Sequence, residues 1–579
     1  MKSPVLTAAV MLSATFAWAG RKADDVKAPG PNRTERVIVL YKRQPNSNDE
    51  DKVRRNRGNV NRRYAHVPAA VYDVTKEALD ELERDPDVES IVPDRPVKGF
   101  AQGEVLNAIR HWGVDAWYSG PSGSNCRGCS HGPVGIAVLD SGIRASHPDF
   151  NWWNTTTSRI VYKETFVGGN TDDQYGHGTH VAGLLAGEGN VSCLQGGLDQ
   201  NGNCKSSDSY WGGAPGGQIV SLKVLDANGV GSDSAVIAAI DRAIQLKGAY
   251  NIRVMNLSLG RPIRESYTSD PLCQAVERAW NAGIAVVVAA GNLGRANDFS
   301  TSGYGTITSP GNDPKVITVG AANTLNNWWD NDDRITTYSS KGPTAIDQIV
   351  KPDIVAPGNQ IIATQASNST LVSQYPGNRP AVSSYWPWAS GTSTYYYYLS
   401  GTSMATPIVS GAAALMIDRD PTITPDIVKA RLMKTARRSF ATSVSVFEAS
   451  TNQWFALSHD IFTVGSGMLD LTAAFNATER PSGSAASPKA IYDSSTKKVT
   501  LKFSATGGSN VVWGTNGAFA TNVVWGTNVV WGTNVVWGTN VVWGTSGTAG
   551  FNVVWGTTSP WASYSNQAQA LSVAINGDR

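Results

Sequence analysis

The chain has 579 residues, a net charge of +2 and 41% hydrophobic residues. This length exceeds what one ordinary hydrophobic core supports, so several domains are expected. The near-zero charge gives no indication of a nucleic-acid partner, and none is expected. After the first twenty residues no apolar run approaches the ~18 residues of a membrane-spanning helix, which argues against an integral membrane protein.

The N-terminus has the pattern of a secretory signal. Lys2 supplies a basic start, residues 5–18 are largely apolar, and Ala17-Trp18-Ala19 is an A-x-A cleavage pattern. We therefore predict a signal peptide over 1–19 and a protein that is secreted or held at the cell surface.

The five cysteines fit an oxidising compartment. Cys193 and Cys204 bracket a Gly/Asn-rich loop that a disulfide would close, Cys126 and Cys129 are close in sequence, and Cys273 is left over. A zinc site needs about four ligands, and no His accompanies "CRGC". We expect disulfide bonds rather than a metal, with the pairing left open.

Residues 20–100 form the first predicted domain and are rich in charge, with 32 charged side chains in 81 positions. "RVIVLYK" (36–42) and "VESIVPD" (88–94) are strand patterns, and "KEALDELERDP" (76–86) is an amphipathic helix stopped by Pro86. These patterns predict a small α+β unit. The polar stretch "RPVKGFAQGE" follows it as a link.

The second predicted domain, 101–476, alternates apolar strands with helices. The strand patterns are 134–140, 218–226, 252–260 and 284–292, and the helix patterns are 178–187, 234–246 and 272–283. Nearly continuous apolar strands joined by helices are typical of a parallel sheet covered on both faces. We predict an α/β fold with a mainly parallel sheet in the middle of three layers.

Two side chains of this domain stand where catalytic groups are often found. Asp140 ends a strand, and functional groups collect at the carboxyl ends of parallel strands; a turn-forming or capping role is the alternative. His177 lies between two glycines in "YGHGTHVAG", at the start of a helix pattern. A lone His is more often structural, but a His between two glycines at a helix start is less easily explained by a structural role alone.

"Ser-Gly-Thr-Ser" occurs twice, ending at Ser393 and at Ser403. "SMATPIVSGAAALM" is an apolar helix pattern, and its Pro407 requires the helix to begin near Thr402–Met404. Ser403 is therefore predicted at a helix N-terminus, where free N–H groups stabilise negative charge. "TYYYYLS" after Ser393 favours a strand. We predict Ser403 as a nucleophile and Ser393 as a loop serine.

Asn292 completes the set of candidate catalytic residues. It ends the strand pattern "IAVVVAAGN", and its side-chain amide there is placed to donate a hydrogen bond to a developing oxyanion.

The motifs "AVLDSGI", "GHGTHVAG", "AAGN" and "SGTSMATP", in that order, resemble those of the subtilisin-like serine peptidases. The resemblance covers roughly 36–476 and implies a three-layer α/β/α fold and an endopeptidase that needs no cofactor for catalysis. It implies that Ser403 attacks the peptide carbonyl, that His177 carries the proton and that Asp140 orients His177. Asn292 and the Ser403 N–H would hold the oxyanion.

The resemblance also implies how partners bind. Ser258, Leu259 and Gly260 look like the strand that pairs with protein or peptide substrates, and residues 36–97 are similar to an inhibitory propeptide. We therefore expect a zymogen that the enzyme cuts near 97–103.

Two departures from the family pattern leave alternatives open. Asp149 matches a family calcium ligand, so the loop with "DQNGN" (199–203) is either part of a structural calcium site or a solvated, disulfide-closed insertion. Residues 359–400 form an aromatic-rich insertion before Ser403. It is either a lid near the substrate cleft or a segment whose aromatic side chains pack on the body.

The C-terminal part is predicted to be separate. Residues 477–509 are expected to be a linker with a short strand region, with "ERPSGSAASPK" (479–489) as a flexible stretch. In 510–579 "NVVWGT" occurs six times, which predicts a β-rich repeat tail that binds the cell envelope or itself. The alternative function is a surface or matrix binding protein whose tail is its main function and whose peptidase domain is auxiliary or silent.

Overall fold

The computed structural model describes residues 21–31, 33–99, 134–197, 200, 210–296, 301–325, 332–438, 440–441, 443–448, 452–481, 483–493 and 498–502. The chain divides into two compact units, with the boundary between Asp94 and Arg95. The predicted signal peptide and repeat tail lie outside the described residues, as do Cys126, Cys129, Cys204 and all of "DQNGN" except position 200.

The first unit is a small α+β fold, as the sequence predicts. Its elements are β1 Arg21–Lys22, β2 Glu35–Tyr41, α1 Ser47–Arg55, β3 Asn59–Arg63, β4 Ala69–Val74, α2 Lys76–Glu83 and β5 Val88–Pro93. The strands form one sheet in the order β1-β5-β2-β4-β3. Val37, Val39 and Tyr41 alternate along β2 and share a core with Val53 of α1 and Leu79 of α2, because alternate residues of a strand face one side.

The second unit contains the remaining described elements. Its strands are β6 Pro96–Gly99, β7 Gly135–Asp140, β8 Ile160–Thr165, β9 Gln218–Lys223, β10 Val230–Ser232, β11 Ile252–Leu257, β12 Leu259–Gly260, β13 Ala285–Ala289, β14 Ile317–Asn323, β15 Arg334–Ile335, β16 Ile354–Pro357, β17 Ile361–Thr364, β18 Tyr396–Leu399, β19 Ser443–Glu448, β20 Gln453–Ser458, β21 Lys489–Asp493 and β22 Lys498–Lys502. Its helices are α3 His177–Ala186, α4 Asn190–Gly196, α5 Asp233–Leu246, α6 Pro271–Asn281, α7 Thr370–Gln374, α8 Thr402–Arg419, α9 Pro425–Thr435 and α10 Leu471–Asn476.

The central sheet confirms the predicted fold class. Its strands run β15-β14-β13-β11-β7-β9-β8, with β16 also paired to β14, and every pair except β14–β15 is parallel. The strand β7 is buried at all six positions, which explains why "GIAVLD" reads as a continuous apolar run. Helices α3 and α8 pack together against the sheet, and α5 and α6 form a second pair against it, in agreement with the predicted three layers.

Most of the long helices begin at a capping side chain, but the two that carry His177 and Ser403 do not. Ser232 caps α5, Asp270 caps α6 and Thr424 caps α9 by accepting a backbone N–H. The N-cap residues of α3 and α8 are Gly176 and Gly401, which have no side chain to do so. The first N–H groups of these two helices are therefore available to other partners.

The segment 479–489 corrects the prediction of a flexible linker. Ser487 is buried, its N–H donates to the Pro314 carbonyl at 2.8 Å and its hydroxyl donates to the Asp353 carboxylate at 2.6 Å. The carbonyl of Pro488 accepts the Val350 N–H at 2.9 Å. The prediction was wrong because small polar residues give the same local pattern in two different cases. They occur in a free linker and also in a segment whose backbone forms hydrogen bonds with distant parts of the fold.

None of the helices in the described part of the chain is both long and apolar enough to cross a membrane.

Candidate active site

Asp140 and His177 form a buried hydrogen-bonded pair. Asp140 is the last residue of β7 and His177 the first of α3, and the Asp140 Oδ1 and His177 Nδ1 atoms lie 2.6 Å apart. A carboxylate only accepts, so Nδ1 carries the proton and the lone pair of the neutral ring lies on Nε2. The Ser141 N–H also donates to Oδ1 at 2.8 Å and holds the carboxylate in place.

Asp173 positions the start of α3, although no motif of the sequence marks it as a site residue. Its carboxylate accepts the N–H groups of Gly176 and Thr179, both at 2.7 Å, and the Ser141 hydroxyl at 2.8 Å. Burial raises the pKa of Asp173, and these donors oppose the shift. Asp173 thus supplies the N-terminal acceptor that Gly176 lacks. The only signal in the sequence is an acidic residue just before a helix start.

Gly178 is required where α3 passes Asp140. A Cβ at position 178 would clash with the carbonyl oxygen of Gly142. It would also lie only 3.1 Å from Asp140 Oδ1. The helix therefore approaches the carboxylate more closely than any residue with a side chain would allow.

Ser403 lies in the first turn of α8, as predicted from the helix pattern. Pro407, however, is the sixth residue of the helix and not in its first turn, which corrects the reasoning from its position. Proline has no N–H for the carbonyl four residues earlier, which is that of Ser403. The Ser258 hydroxyl donates to this carbonyl instead, at 2.9 Å.

The hydroxyl of Ser403 is also bound to Ser258, in the opposite sense. Ser403 Oγ donates to the Ser258 carbonyl at 2.9 Å, and the Ser403 side chain is fully buried. Asn256 Nδ2 donates to Ser258 Oγ at 3.0 Å, and Ser410 donates to Asn256 Oδ1 at 2.8 Å. A polar network thus connects the β11–β12 region to the first turns of α8.

Asn292 is oriented by Thr402. Its Oδ1 accepts both the N–H and the hydroxyl of Thr402, each at 2.9 Å. The backbone N–H is always a donor, so the oxygen of the amide must face Thr402. The Nδ2 group is then the branch left to donate elsewhere, which is the arrangement that an oxyanion donor requires.

A strand from the end of the predicted propeptide lies between β10 and β12. Strand β6 pairs antiparallel with both, with Gly99 opposite Leu259 and Val97 opposite Gly231. A Cβ at Gly99 would lie 3.3 Å from Nδ1 of His177. The structure therefore brings the Leu259–Gly260 strand, the imidazole and an extended segment of this chain together.

Ser393 is not placed like Ser403. Its hydroxyl accepts the N–H groups of Tyr395 and Tyr396, at 3.1 and 3.0 Å, and is hydrogen bonded to Tyr385 at 3.0 Å. It precedes β18 and no helix begins at it. These contacts agree with a structural loop serine.

The tyrosine run packs its insertion onto the body. Tyr396 lies against the rings of Tyr210 and Tyr385, and its hydroxyl donates to Asp149 Oδ2 at 2.8 Å. His180, one turn after His177, is within 3.0 Å of the carbonyls of Ile361 and Tyr397, on the two paired strands β17 and β18. Of the two alternatives, the contacts of β18 favour the packing role over a lid.

Asp149 does not have the surroundings of a calcium ligand in the described residues. Its Oδ1 accepts the Val191 N–H at 2.8 Å, its Oδ2 accepts the Tyr396 hydroxyl, and burial raises its pKa. The described residues contain no group of three or more His, Cys, Asp or Glu side chains that could hold a metal. Calcium also binds carbonyl and amide oxygens, and most of the loop that would supply them lies outside the described residues, so the calcium site stays a prediction and no function is derived from it.

Of the two described cysteines, Cys273 is a buried free thiol whose pKa is raised by burial. Cys193 is buried in α4, and its expected partner Cys204 lies outside the described residues, so the disulfide stays a prediction.

The profile of the Subtilase family matches residues 132–453. Subtilisin E of Bacillus subtilis is 32% identical over 437 residues, which cover 74% of this chain and 91% of subtilisin E. Serine protease AprX of Bacillus subtilis is 36% identical over 307 residues, which span 51% of this chain and 59% of AprX.

Among solved structures, fervidolysin from Fervidobacterium pennivorans, a keratinolytic enzyme related to subtilisin, matches with a TM-score of 0.54. The match has 20% sequence identity and covers 80% of this chain and 64% of fervidolysin, so it bears on the fold alone. The family profile and the match to nearly the whole of subtilisin E identify the chain as a member of the subtilase family and a serine endopeptidase.

Proposed function

We propose that this chain is a secreted endopeptidase that hydrolyses peptide bonds through Asp140, His177 and Ser403 and is made as a self-processed zymogen. The observation that carries the proposal is the 2.6 Å contact between Asp140 and His177, beside a strand of the chain's own N-terminal region. The family matches favour this function over a binding protein with a silent peptidase domain.

The catalytic cycle follows from the roles of the side chains. The Ser403 hydroxyl turns from the Ser258 carbonyl towards His177 and attacks the substrate carbonyl, while His177 Nε2 takes its proton. His177 passes this proton to the leaving amine, and an acyl-enzyme remains. A water molecule then attacks the ester with His177 as base, which releases the acid and restores Ser403.

Charge stabilisation comes from fixed donors. Asp140 stabilises the imidazolium that forms on His177 in both steps. The Asn292 amide and the Ser403 N–H face the developing oxyanion, because Thr402 holds the other branch of the amide and first-turn N–H groups have no intrahelical acceptor.

The position of β6 supports the zymogen. A peptide that binds by adding a strand between β10 and β12 would occupy the place that β6 holds, so β6 acts as an inhibitor until it is cut and released. Gly99 packs beside His177, so the cut is expected on the C-terminal side of Gly99, within the predicted range 97–103.

The test is a pair of serine substitutions in the full chain. Ser403→Ala should abolish peptidase activity and leave the N-terminal segment uncut, whereas Ser393→Ala should keep most of the activity and normal processing. A rate assay on a small peptide measures the first effect, and N-terminal sequencing with intact mass of the secreted proteins measures the second. Equal losses in the two variants, or normal processing of Ser403→Ala in a host without other peptidases, would overturn the proposal.

The repeat tail is proposed to determine where the enzyme resides. Every residue assigned to catalysis precedes position 404, so the tail is not needed for the chemistry. Cell fractionation of the full chain and of a variant without 510–579 tests this, and an unchanged distribution would contradict it.

A further inference from the structure

Arg95, four residues before Gly99, is bound in an acidic site at the N-terminal end of β6, the strand that lies between β10 and β12. Its guanidinium forms an ion pair with Glu265, and both side chains are largely buried, with 8% and 12% of their surfaces exposed. Its carbonyl accepts the Asp233 N–H at 2.8 Å, which continues the β6–β10 ladder by one residue. The backbone register therefore delivers this side chain to Glu265.

Glu265 belongs to a group with an excess of negative charge. Arg261 donates to Asp233 at 2.9 Å and to Asp270 at 2.8 Å, and lies 3.5 Å from Glu265. Without Arg95, the carboxylates of Asp233, Glu265 and Asp270 would face the single guanidinium of Arg261. The carboxylate of Glu265 also has a buried oxygen, Oε2, that has no hydrogen-bond partner among the described residues.

The site therefore favours a cation. Burial and the neighbouring Asp270 disfavour the charged form of Glu265 and raise its pKa. The cations Arg261 and Arg95 stabilise the charged form and oppose the shift. An arginine carries five N–H donors in a planar fork that fits a carboxylate, and a lysine carries a point charge.

We propose that, once the N-terminal segment has been released, Glu265 and its neighbours form a subsite for an arginine in protein substrates, at the position that Arg95 occupies. The inference rests on the proposed function, since it assumes that substrates take the place of β6. A substrate strand in the same register would place the side chain four residues before its own Gly99 equivalent beside Glu265. Cleavage would thus depend on a basic residue well upstream of the cut.

The experiment uses the self-processed enzyme and quenched peptides with the sequence of residues 94–103. The arginine is kept or replaced by Lys, Ala or Glu, and a shorter peptide begins at the valine of position 97. We expect kcat/KM for the Arg peptide to exceed that for the Ala peptide roughly tenfold, with Lys between them and Glu the poorest.

Two enzyme variants assign the effect to the site. In Glu265→Gln the ratio between the Arg and Ala peptides should fall to within about twofold, while the shorter peptide is cut as by the wild type. Glu164→Gln is the matched control, because Glu164 forms an ion pair with Arg242 away from β6, and it should keep the wild-type ratio.

The outcomes separate this inference from the proposed function. If the wild type cuts the Arg and Ala peptides equally well, or if Glu265→Gln keeps the full preference, the subsite is wrong while the peptidase stands. If no peptide is cut by the wild type, the proposed function fails. The comparison of the Arg and Ala peptides uses the wild-type enzyme, so its result does not depend on whether any variant folds.

Discussion

Ser258 and Ser403 exchange hydrogen bonds in both directions across 145 residues of sequence, hydroxyl to carbonyl at 2.9 Å each way. One of these bonds exists because Pro407 cannot donate to the Ser403 carbonyl. The other holds the proposed nucleophile beside the strand that pairs with β6. Because Pro407 has no N–H, the Ser403 carbonyl binds Ser258, and this connects the β11–β12 region to the start of α8.

This relationship predicts a coupling between Ser258 and Pro407. Ser258→Ala should cost about 1–3 kcal/mol of unfolding free energy, because it leaves the buried Ser403 carbonyl without a donor. In a Pro407→Ala background the new N–H can reach that carbonyl, so the same substitution should cost clearly less. Denaturant unfolding of the two single variants and the double variant measures the coupling. Equal costs in both backgrounds would refute the account.

Asn292 should matter for rate more than for binding. Asn292→Asp keeps oxygens for Thr402 but loses the Nδ2 donor and adds negative charge near the oxyanion, so kcat should fall by ~10²–10³ with little change in KM. Steady-state kinetics on a short peptide measures this. A fall confined to KM would show that the amide binds the ground state instead.

Asp173 is expected to act through His177 without touching substrate. Asp173→Ala leaves three buried donors without their acceptor, so about 2–4 kcal/mol of stability should be lost, and kcat should drop as α3 shifts. The exposed neighbour Asp172 provides the control, since Asp172→Ala should stay within about 0.5 kcal/mol. Thermal unfolding and kcat of both variants decide the matter, and similar effects of the two would contradict the positioning role.

His459 should make stability depend on pH. Its Nε2 accepts the Ile335 N–H at 3.1 Å and its Nδ1 donates to the Ala441 carbonyl, so the folded protein holds the neutral ring. Burial, aided by Arg334 and Lys341, lowers the pKa of His459 to about 4. Between this value and the unfolded value of ~6.5 only the unfolded chain binds the proton, so stability falls as pH falls through this range.

The expected loss from this histidine is about 2–3 kcal/mol between pH 6.5 and 4. Urea unfolding at intervals of half a pH unit measures it. His459→Gln removes the titrating group and should flatten this part of the profile, and a variant that parallels the wild type would rule out His459 as the cause.

The corrected C-terminal boundary predicts different results for two truncations. A chain ending after residue 502 should fold and cut a small peptide within a few-fold of full length. A chain ending after 478 removes Ser487 from the buried Lys351–Asp353–Lys429 cluster and should be strongly destabilised. Soluble yield and melting temperature compare the two, and equal stability would restore the linker interpretation. Ser487→Ala alone should cost about 1–3 kcal/mol.

The sequence by itself was sufficient for the order of strands and helices and for the site's main groups. Continuous apolar runs such as "GIAVLD" predict buried parallel strands, and "SMATPIVSGAAALM" predicts the helix that begins at Thr402, because both patterns follow from local backbone geometry and burial. The positions of Asp140 at a strand end and His177 at a helix start follow from the same patterns.

Only the tertiary structure decided which polar side chains support that site and the fold around it. Asp173 and Ser487 look like ordinary loop residues, and the hydrogen bonds of Ser258 to Ser403 are not visible in the sequence, because a local pattern does not tell which backbone N–H or carbonyl a distant segment will present. The tyrosine run is a case of the same kind, since its role depends on Asp149 and Tyr210 far away in sequence. Long-range hydrogen bonds and ring contacts form only when the sheet has brought these segments together.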